Sequence, residues 1–337
     1  MRSANSHSHR TRVLVGAAAL TLLGLSACSG SDEEPVTVGL ITKQEENSYW
    51  VTMREVAQDV ADEEDVELLT ATGESDVDVE SQIDALESMV EDGADGILIA
   101  PNDSTEIVPA IEAAREEGVI VIAVDTPVQP LAAVDAFYGT DNLRAGELVG
   151  QYAAVKAEEL GLDPQIALLD LAPDISSGEL RREGFLDGFG ISEGDPEIVG
   201  EADTEGDEGL GEEAMADILS DNPDVNVVYT VNEPAALGAL TALDDAGADL
   251  GEVVVVSVDG GCEAIKNAVR PGDIDATAQQ FPENMARKGV TAIADSVRGG
   301  TSPSGYLDTG VELITGDPAP GVDSEDVPFG VRNCWGD

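Results

Sequence analysis

Histidine is nearly missing from this 337-residue chain: the only two, His7 and His9, lie within its first ten residues. From residue 28 onward there is none, which excludes Ser-His and Cys-His catalysis and any His-containing zinc site there. No G-x-S-x-G elbow and no P-loop replaces them. Cations are almost as scarce. Lys and Arg number 16 against 69 Asp and Glu, a formal net charge of −53, and only four of the 16 are lysines. Arg2, Arg10 and Arg12 precede residue 28, where no acid lies, so the remainder is more acidic still. A field of that sign repels nucleic acid and anionic headgroups, and neither is an expected partner. The acidic stretch Glu201 to Glu213 does not make a calcium loop. Read from Asp203, an EF-hand would need Gly sixth and Glu twelfth, where the chain has Glu208 and Ala214. A solvated acidic surface, suited to a salty habitat, is the better account.

Long apolar runs are missing too. Val13 to Leu25 is uncharged over 13 residues, too short to span a bilayer but right for the core of a secretory signal. It ends in Leu25-Ser26-Ala27-Cys28, which resembles a bacterial lipobox. The expectation is a leader over 1–27, lipidation of Cys28, a solvated tether over 28–35, and a protein held outside the cytoplasm with only its lipid in the membrane. Two further cysteines, Cys262 and Cys334, then meet a compartment that permits disulfides. They are expected to pair; two buried free thiols is the other reading.

The residues from 36 on are too many for one ordinary core and suit two lobes. Short apolar runs read as strands at Val36–Ile41, Gly96–Ala100, Val119–Val124, Ile166–Leu169, Val227–Thr230 and Val253–Val258. Between them lie stretches with helical spacing, such as Val79, Ile83, Leu86 and Val90. Alternation of this kind builds parallel sheets covered on both faces. The expected fold is α/β, two doubly wound lobes joined by a multi-strand hinge. The first takes 36–140 and 281–309, the second 141–280 and 310–337.

Ligands of such sheets sit beyond the carboxyl ends of the strands. Those positions hold Lys43 to Trp50, Asn102-Asp103 and Asp125 in the first half, then Asn232, Asp259 and Gln279-Gln280 in the second. Carboxylates and amides engage neighbouring hydroxyls, and Tyr49 and Trp50 offer flat faces to C–H surfaces, a combination suited to a neutral polyol. Each residue also has a purely structural reading: Asp103 with Glu106 as a capping box, Asn232 before Glu233-Pro234 as an N-cap, Asp259-Gly260-Gly261 as a turn. Recurrence at successive strand ends favours a site.

From Val36 to about Thr315 the chain resembles the type I periplasmic binding proteins, in the ribose and fructose ABC-transporter branch. The resemblance is carried in order by Gly39-Leu40-Ile41-Thr42-Lys43 with Asn47-Ser48-Tyr49-Trp50, Asp125-Thr126-Pro127, Thr140-Asp141-Asn142, Tyr229 to Pro234, Val258 to Cys262, and Gln279 to Pro282. The tail Asn333-Cys334-Trp335-Gly336 looks like that of fructose-type lipoproteins. The resemblance implies a monomeric, cofactor-free binding lipoprotein that captures a monosaccharide and presents it to an ABC permease with its ATPase. It implies sugar contacts at Asn47, Tyr49, Trp50, Asp103, Asp125, Asn232, Asp259 and Gln280, joined by Lys43, Thr140 and Arg181. Ser48-Tyr49-Trp50 stands where ribose binders have Pro-Phe-Phe, and Thr126 where they have Arg, which puts ribose in doubt; Lys43 is a cationic contact shared with fructose-type proteins, so fructose is the expected sugar, ahead of ribose or mannose. The family's far-lobe Arg aligns with Glu179, while Arg181 lies two positions on, so either could face the cleft.

Rival functions are an enzyme, disfavoured by the missing histidine; a sugar-responsive repressor, which would need a basic helix-turn-helix; and a sugar-sensing co-receptor for a chemoreceptor or sensor kinase, which would share the same site.

Overall fold

The computed structural model describes residues 35–336. The expected leader, the lipidation of Cys28 and nearly all of the expected tether lie outside them.

Two sheets organise these residues. The first has six parallel strands in the order β11-β5-β4-β3-β1-β2. They are β1 (Val36–Thr42), β2 (Val66–Thr72), β3 (Gly96–Ile99), β4 (Ile120–Val124), β5 (Ala136–Gly139) and, late in the chain, β11 (Gly305–Asp308). The second has seven, in the order β13-β12-β10-β9-β8-β6-β7. They are β6 (Ile166–Asp170), β7 (Ile198–Asp203), β8 (Val227–Thr230), β9 (Val254–Asp259), β10 (Ala276–Gln279), β12 (Glu312–Thr315) and β13 (Glu325–Asp326). Only the β10–β12 pair is antiparallel. The five leading strands of each sheet share one winding, the second strand outside the first and the third to fifth on its other side. The order therefore reverses next to β1 in one lobe and β6 in the other, and in such sheets that is where a crevice opens.

Helices cover both faces of each sheet. In the first lobe α1 (Ser48–Glu64) and α9 (Pro282–Val297) bury one face, with Met53, Ala57, Val60, Met285 and Val290 in the shared core, while α2 (Val79–Glu91) and α3 (Val108–Glu116) bury the other through Leu86, Met89 and Ile111. The second lobe repeats this with α4 (Asn142–Leu160) and α5 (Ser176–Phe189) on one side, and α6 (Glu208–Asp221) and α7 (Glu233–Ala246) on the other. A short α8 (Cys262–Ala264) and the terminal α10 (Val327–Asn333) complete the set. Strands such as Val254–Val258 are buried at every position, as sheets covered on both sides require. Asn47 caps α1 by accepting from Tyr49 N, and Asn232 caps α7 by accepting from Ala235 N, with Pro234 in the first turn.

One helix contact bears on function. The helices α4 and α5 cross with their backbones touching: a Cβ on Gly146 would collide with the Arg181 carbonyl, and one on Gly184 with that of Leu143. Glycine there lets α5 approach closely enough to seat Arg181 between the lobes.

Of the strands that the apolar runs do not mark, β5 is fully buried and β12 nearly so, each only four residues long, and the edge strands have a different cause. β2, β7 and β11 are half-buried or exposed near sheet edges, so their apolar contrast is weak. One expectation needs correcting. The tail was assigned wholly to the second lobe, and β12, β13 and α10 do lie there, but Trp335 is buried in the first lobe's core with Tyr49, Trp50 and Met285. Cys262 and Cys334 are joined as a disulfide, with Cα atoms 4.9 Å apart, and this carries the tail across.

Candidate functional site

Where the carboxyl ends of the two sheets face each other, a narrow cavity of about 20 Å³ remains between them. Lys43, Asn47, Tyr49, Trp50, Asp76 and Asp125 line it from the first lobe, and Leu171, Ser177, Arg181, Asn232, Asp259 and Gln280 from the segments that follow the second sheet's strands. At its rim the lobes touch directly: Ser104 N donates to Asp174 O (3.0 Å), Ser176 N to Ser104 Oγ (3.1 Å), and the Thr126 and Ser177 hydroxyls lie 2.9 Å apart.

Asp259 ends β9 and is 5% exposed. Its Oδ1 accepts from Gln280 Nε2 (2.5 Å) and Arg181 Nη1 (3.3 Å), and its Oδ2 from Glu233 N (3.3 Å). Arg181, 3% exposed, also donates through Nε to Asn142 Oδ1 (2.7 Å) and through Nη1 to Val231 O (3.0 Å). Opposite, Asp125 follows β4 and accepts from the Tyr49 hydroxyl (2.9 Å) and the Thr126 hydroxyl (2.8 Å). Both aspartates have positive φ, 63° and 108°, a strained region for a residue with a side chain. Strain held at two facing strand ends is the kind that persists where function needs it.

Lys43, 1% exposed, follows β1; its carbonyl accepts from Asn102 Nδ2 (3.4 Å), and its ammonium is in no ion pair among the described residues. Burial lowers its pKa, opposed by the charges of Asp76 and Asp125. Burial raises the pKa of Asp76, opposed by Lys43 and by the Gln44 amide bonded to it at 3.0 Å. Burial likewise raises that of Asp259 against the pull of Arg181, and that of Tyr49, which Asp125 pushes further up. Two more polar atoms of lining residues lack partners, Trp50 Nε1 and Gln280 Oε1. The cavity thus carries two cations, three carboxylates, three amides and two aromatic rings. Among the described residues no cluster of acids, cysteines or histidines could hold a metal.

Nine of the eleven sugar contacts expected from the sequence line the cavity; Asp103 and Thr140 do not. The Asp103 carboxylate turns back on its own loop and accepts from Thr105 N, Glu106 N and the Thr105 hydroxyl at 2.7 to 2.9 Å, so the capping reading of that residue holds. Its neighbour Asn102 is buried, holding the loop through Ser75 O and Asp78 O. Thr140 is buried at the end of β5 and offers its carbonyl to Asn142 Nδ2 (3.4 Å), two bonds away from Arg181 rather than in the cavity. Between Glu179 and Arg181 the geometry decides for Arg181; Glu179 is exposed on a separate groove. Three lining residues were missed: Asp76, Leu171 and Ser177. Asp76 lies beyond the end of β2, whose half-buried pattern gives no apolar contrast that would mark its carboxyl end.

Comparison with known proteins agrees with the geometry. Residues 38–301 match the periplasmic binding protein domain, and the chain belongs to that family. It is 29% identical over 319 residues to the D-ribose/D-allose-binding protein of Pseudomonas aeruginosa, covering 90% of this chain and 98% of that one. It is 26% identical over 291 residues to the ribose import binding protein of Bacillus subtilis, covering 83% and 91%. Among solved structures, an ABC transporter periplasmic solute binding protein from Actinobacillus succinogenes with bound D-allose superimposes with a TM-score of 0.73 at 26% identity, covering 83% of this chain and 97% of that one.

Proposed function

We propose that this protein is the substrate-binding component of a sugar ABC importer, holding a monosaccharide in the interlobe cavity and delivering it to a permease. The observation that carries the reading is the lining itself. Asp125 and Asp259 face each other across a small cavity beside two aromatic rings and the Lys43 ammonium, and two buried polar atoms there, Trp50 Nε1 and Gln280 Oε1, lack protein partners. Hydroxyls can both donate to the carboxylates and accept from the ammonium, and an uncharged polyol leaves the local charge as it is. Buried polar groups need partners, and a sugar supplies several at once. The relatives named for ribose and allose support this class of ligand.

Fructose heads the candidates, on Lys43 and the tail Asn333 to Gly336; ribose and allose follow from the relatives, with mannose behind. Lipid anchoring through Cys28 and a Cys262–Cys334 bond in the exported protein belong to the same proposal. So does opening of the lobes about the crossings near 140–141, 280–281 and 309–310. Calorimetric titration of the purified protein with fructose, ribose, allose, mannose, glucose and galactose tests it. Saturable binding of one sugar, with a smaller radius of gyration in its presence, is expected; no heat with any of them overturns the reading.

A further inference from the structure

The C-terminal tail reaches the cavity wall from outside both lobes' strand order, and its contacts are more numerous than a chain end requires. Trp335 is 4% exposed. Its ring stands edge-on to Tyr49 with centroids 5.1 Å apart, and Trp50 grips the same Tyr49 from another side at 4.7 Å. Its Nε1 donates to Gln280 O (3.1 Å), and its carbonyl accepts from Cys262 N (2.8 Å). A Cβ on Gly261 would stand 2.9 Å from the indole, so that glycine leaves room for the ring. The residue before it, Cys334, is bonded to Cys262 of the second lobe.

We infer that Trp335 is a positioning residue for the ligand cavity, held in place by the Cys262–Cys334 bond. The two groups it touches are those that aim the facing carboxylates. Tyr49 donates to Asp125, and Gln280 donates to Asp259. A buried ring packed on one and hydrogen-bonded to the backbone of the other fixes both at once, and its covalent tether belongs to the second lobe while its ring sits in the first. Side chains that must be held to a fraction of an ångström are best held by a second layer of packing. The bond to Cys262 confines the indole to this place, so reduction frees the tail and loosens the clamp. The inference rests on the sugar-binding reading for its consequence, though not for its geometry.

The experiment compares the wild-type protein, Trp335→Ala, Trp335→Phe and the double variant Cys262→Ser/Cys334→Ser by hydrogen exchange and by titration with D-fructose, D-ribose and D-allose. In Trp335→Ala and in the double variant, amides of Trp50, Val51 and Gln280 are expected to exchange at least tenfold faster, with the centres of β3 and β9 unchanged. Affinity for whichever sugar binds the wild type should fall at least tenfold. Trp335→Phe, which keeps the edge-on packing, should recover most of both effects. Unchanged exchange at those amides, or a uniform loosening of the whole chain in both variants, overturns the inference. Local loosening in a wild-type background that binds none of the three sugars supports the positioning role while counting against the function. Should Trp335→Ala fail to fold, the double variant decides by the same criteria.

Discussion

The two cations of the cleft, one from each lobe, are treated in opposite ways. Arg181 on the far wall meets a carboxylate, a side-chain amide and a main-chain carbonyl, and lies in the close α4–α5 contact. Lys43 on the near wall is as deeply buried, and its ammonium is in no ion pair among the described residues. The far wall is therefore rigid and electrically settled before any ligand arrives, whereas the near wall holds a buried cation without an ion-pair partner, at a cost to stability. The difference teaches where affinity and stability part company: a change on the far wall should damage both, and a change at Lys43 should trade one for the other.

The largest effect should follow Asp259→Ala. On the proposed function Asp259 accepts from two sugar hydroxyls, and its loss removes about 1.5–3 kcal/mol for each hydrogen bond, so affinity should fall on the order of a hundredfold or more. Arg181 would be left buried without its carboxylate, a loss of about 3–5 kcal/mol in comparable pairs. Calorimetry and thermal melts should show both losses. An unchanged melting temperature would mean that the far wall is not the rigid half.

Lys43→Met should weaken binding roughly tenfold to a hundredfold, by the same hydrogen-bond magnitudes, while raising the melting temperature of the sugar-free protein. A variant that loses affinity and stability together would show that Lys43 is paired after all, and the contrast between the walls would collapse.

The lobes should also differ in pH response. Burial pushes Asp170 up to about 6, Glu233 to about 7 and Asp275 to about 6, all three in the second lobe. Each folded value lies above the ordinary carboxylate range, so the folded state takes up protons more readily than the unfolded one. Stability from these groups is complete below their unfolded values, near 4, and is lost as pH rises through about 6 to 7. Melts in 1 M NaCl, where the Debye length of about 3 Å removes most surface repulsion, should therefore give a higher melting temperature at pH 5.5 than at pH 8. Asp275→Asn should flatten part of that slope, since the amide oxygen can still accept from Val255 N. A slope of the opposite sign would refute the assignment.

The smallest effect belongs to Asp103→Ala. Losing the turn cap should cost about 1 kcal/mol of stability, yet affinity should stay within threefold of wild type. A larger loss of binding would return Asp103 to the site.

Much of this was legible in the linear chain because the folding code is local there. Buried parallel strands read as unbroken apolar runs, and Val254–Val258 could be placed without a partner in view. In a doubly wound sheet the residue after such a strand is directed at the crevice by the backbone alone, so Lys43, Asp125, Asn232 and Asp259 could be named from strand ends. The edge strands were hidden because half-exposed positions carry no such contrast, and with β2 went Asp76.

What the sequence determined by itself was the architecture, the acidic surface and the line of polar residues at the strand ends, all consequences of periodicity, composition and chain direction. Only the tertiary structure decided which of two neighbouring residues, Glu179 or Arg181, lines the cavity, and that the last aromatic of the chain stands against Tyr49. Those outcomes depend on how closely two helices approach and where a disulfide lets the tail come to rest. They are relations between distant segments, and no window of the sequence contains both partners.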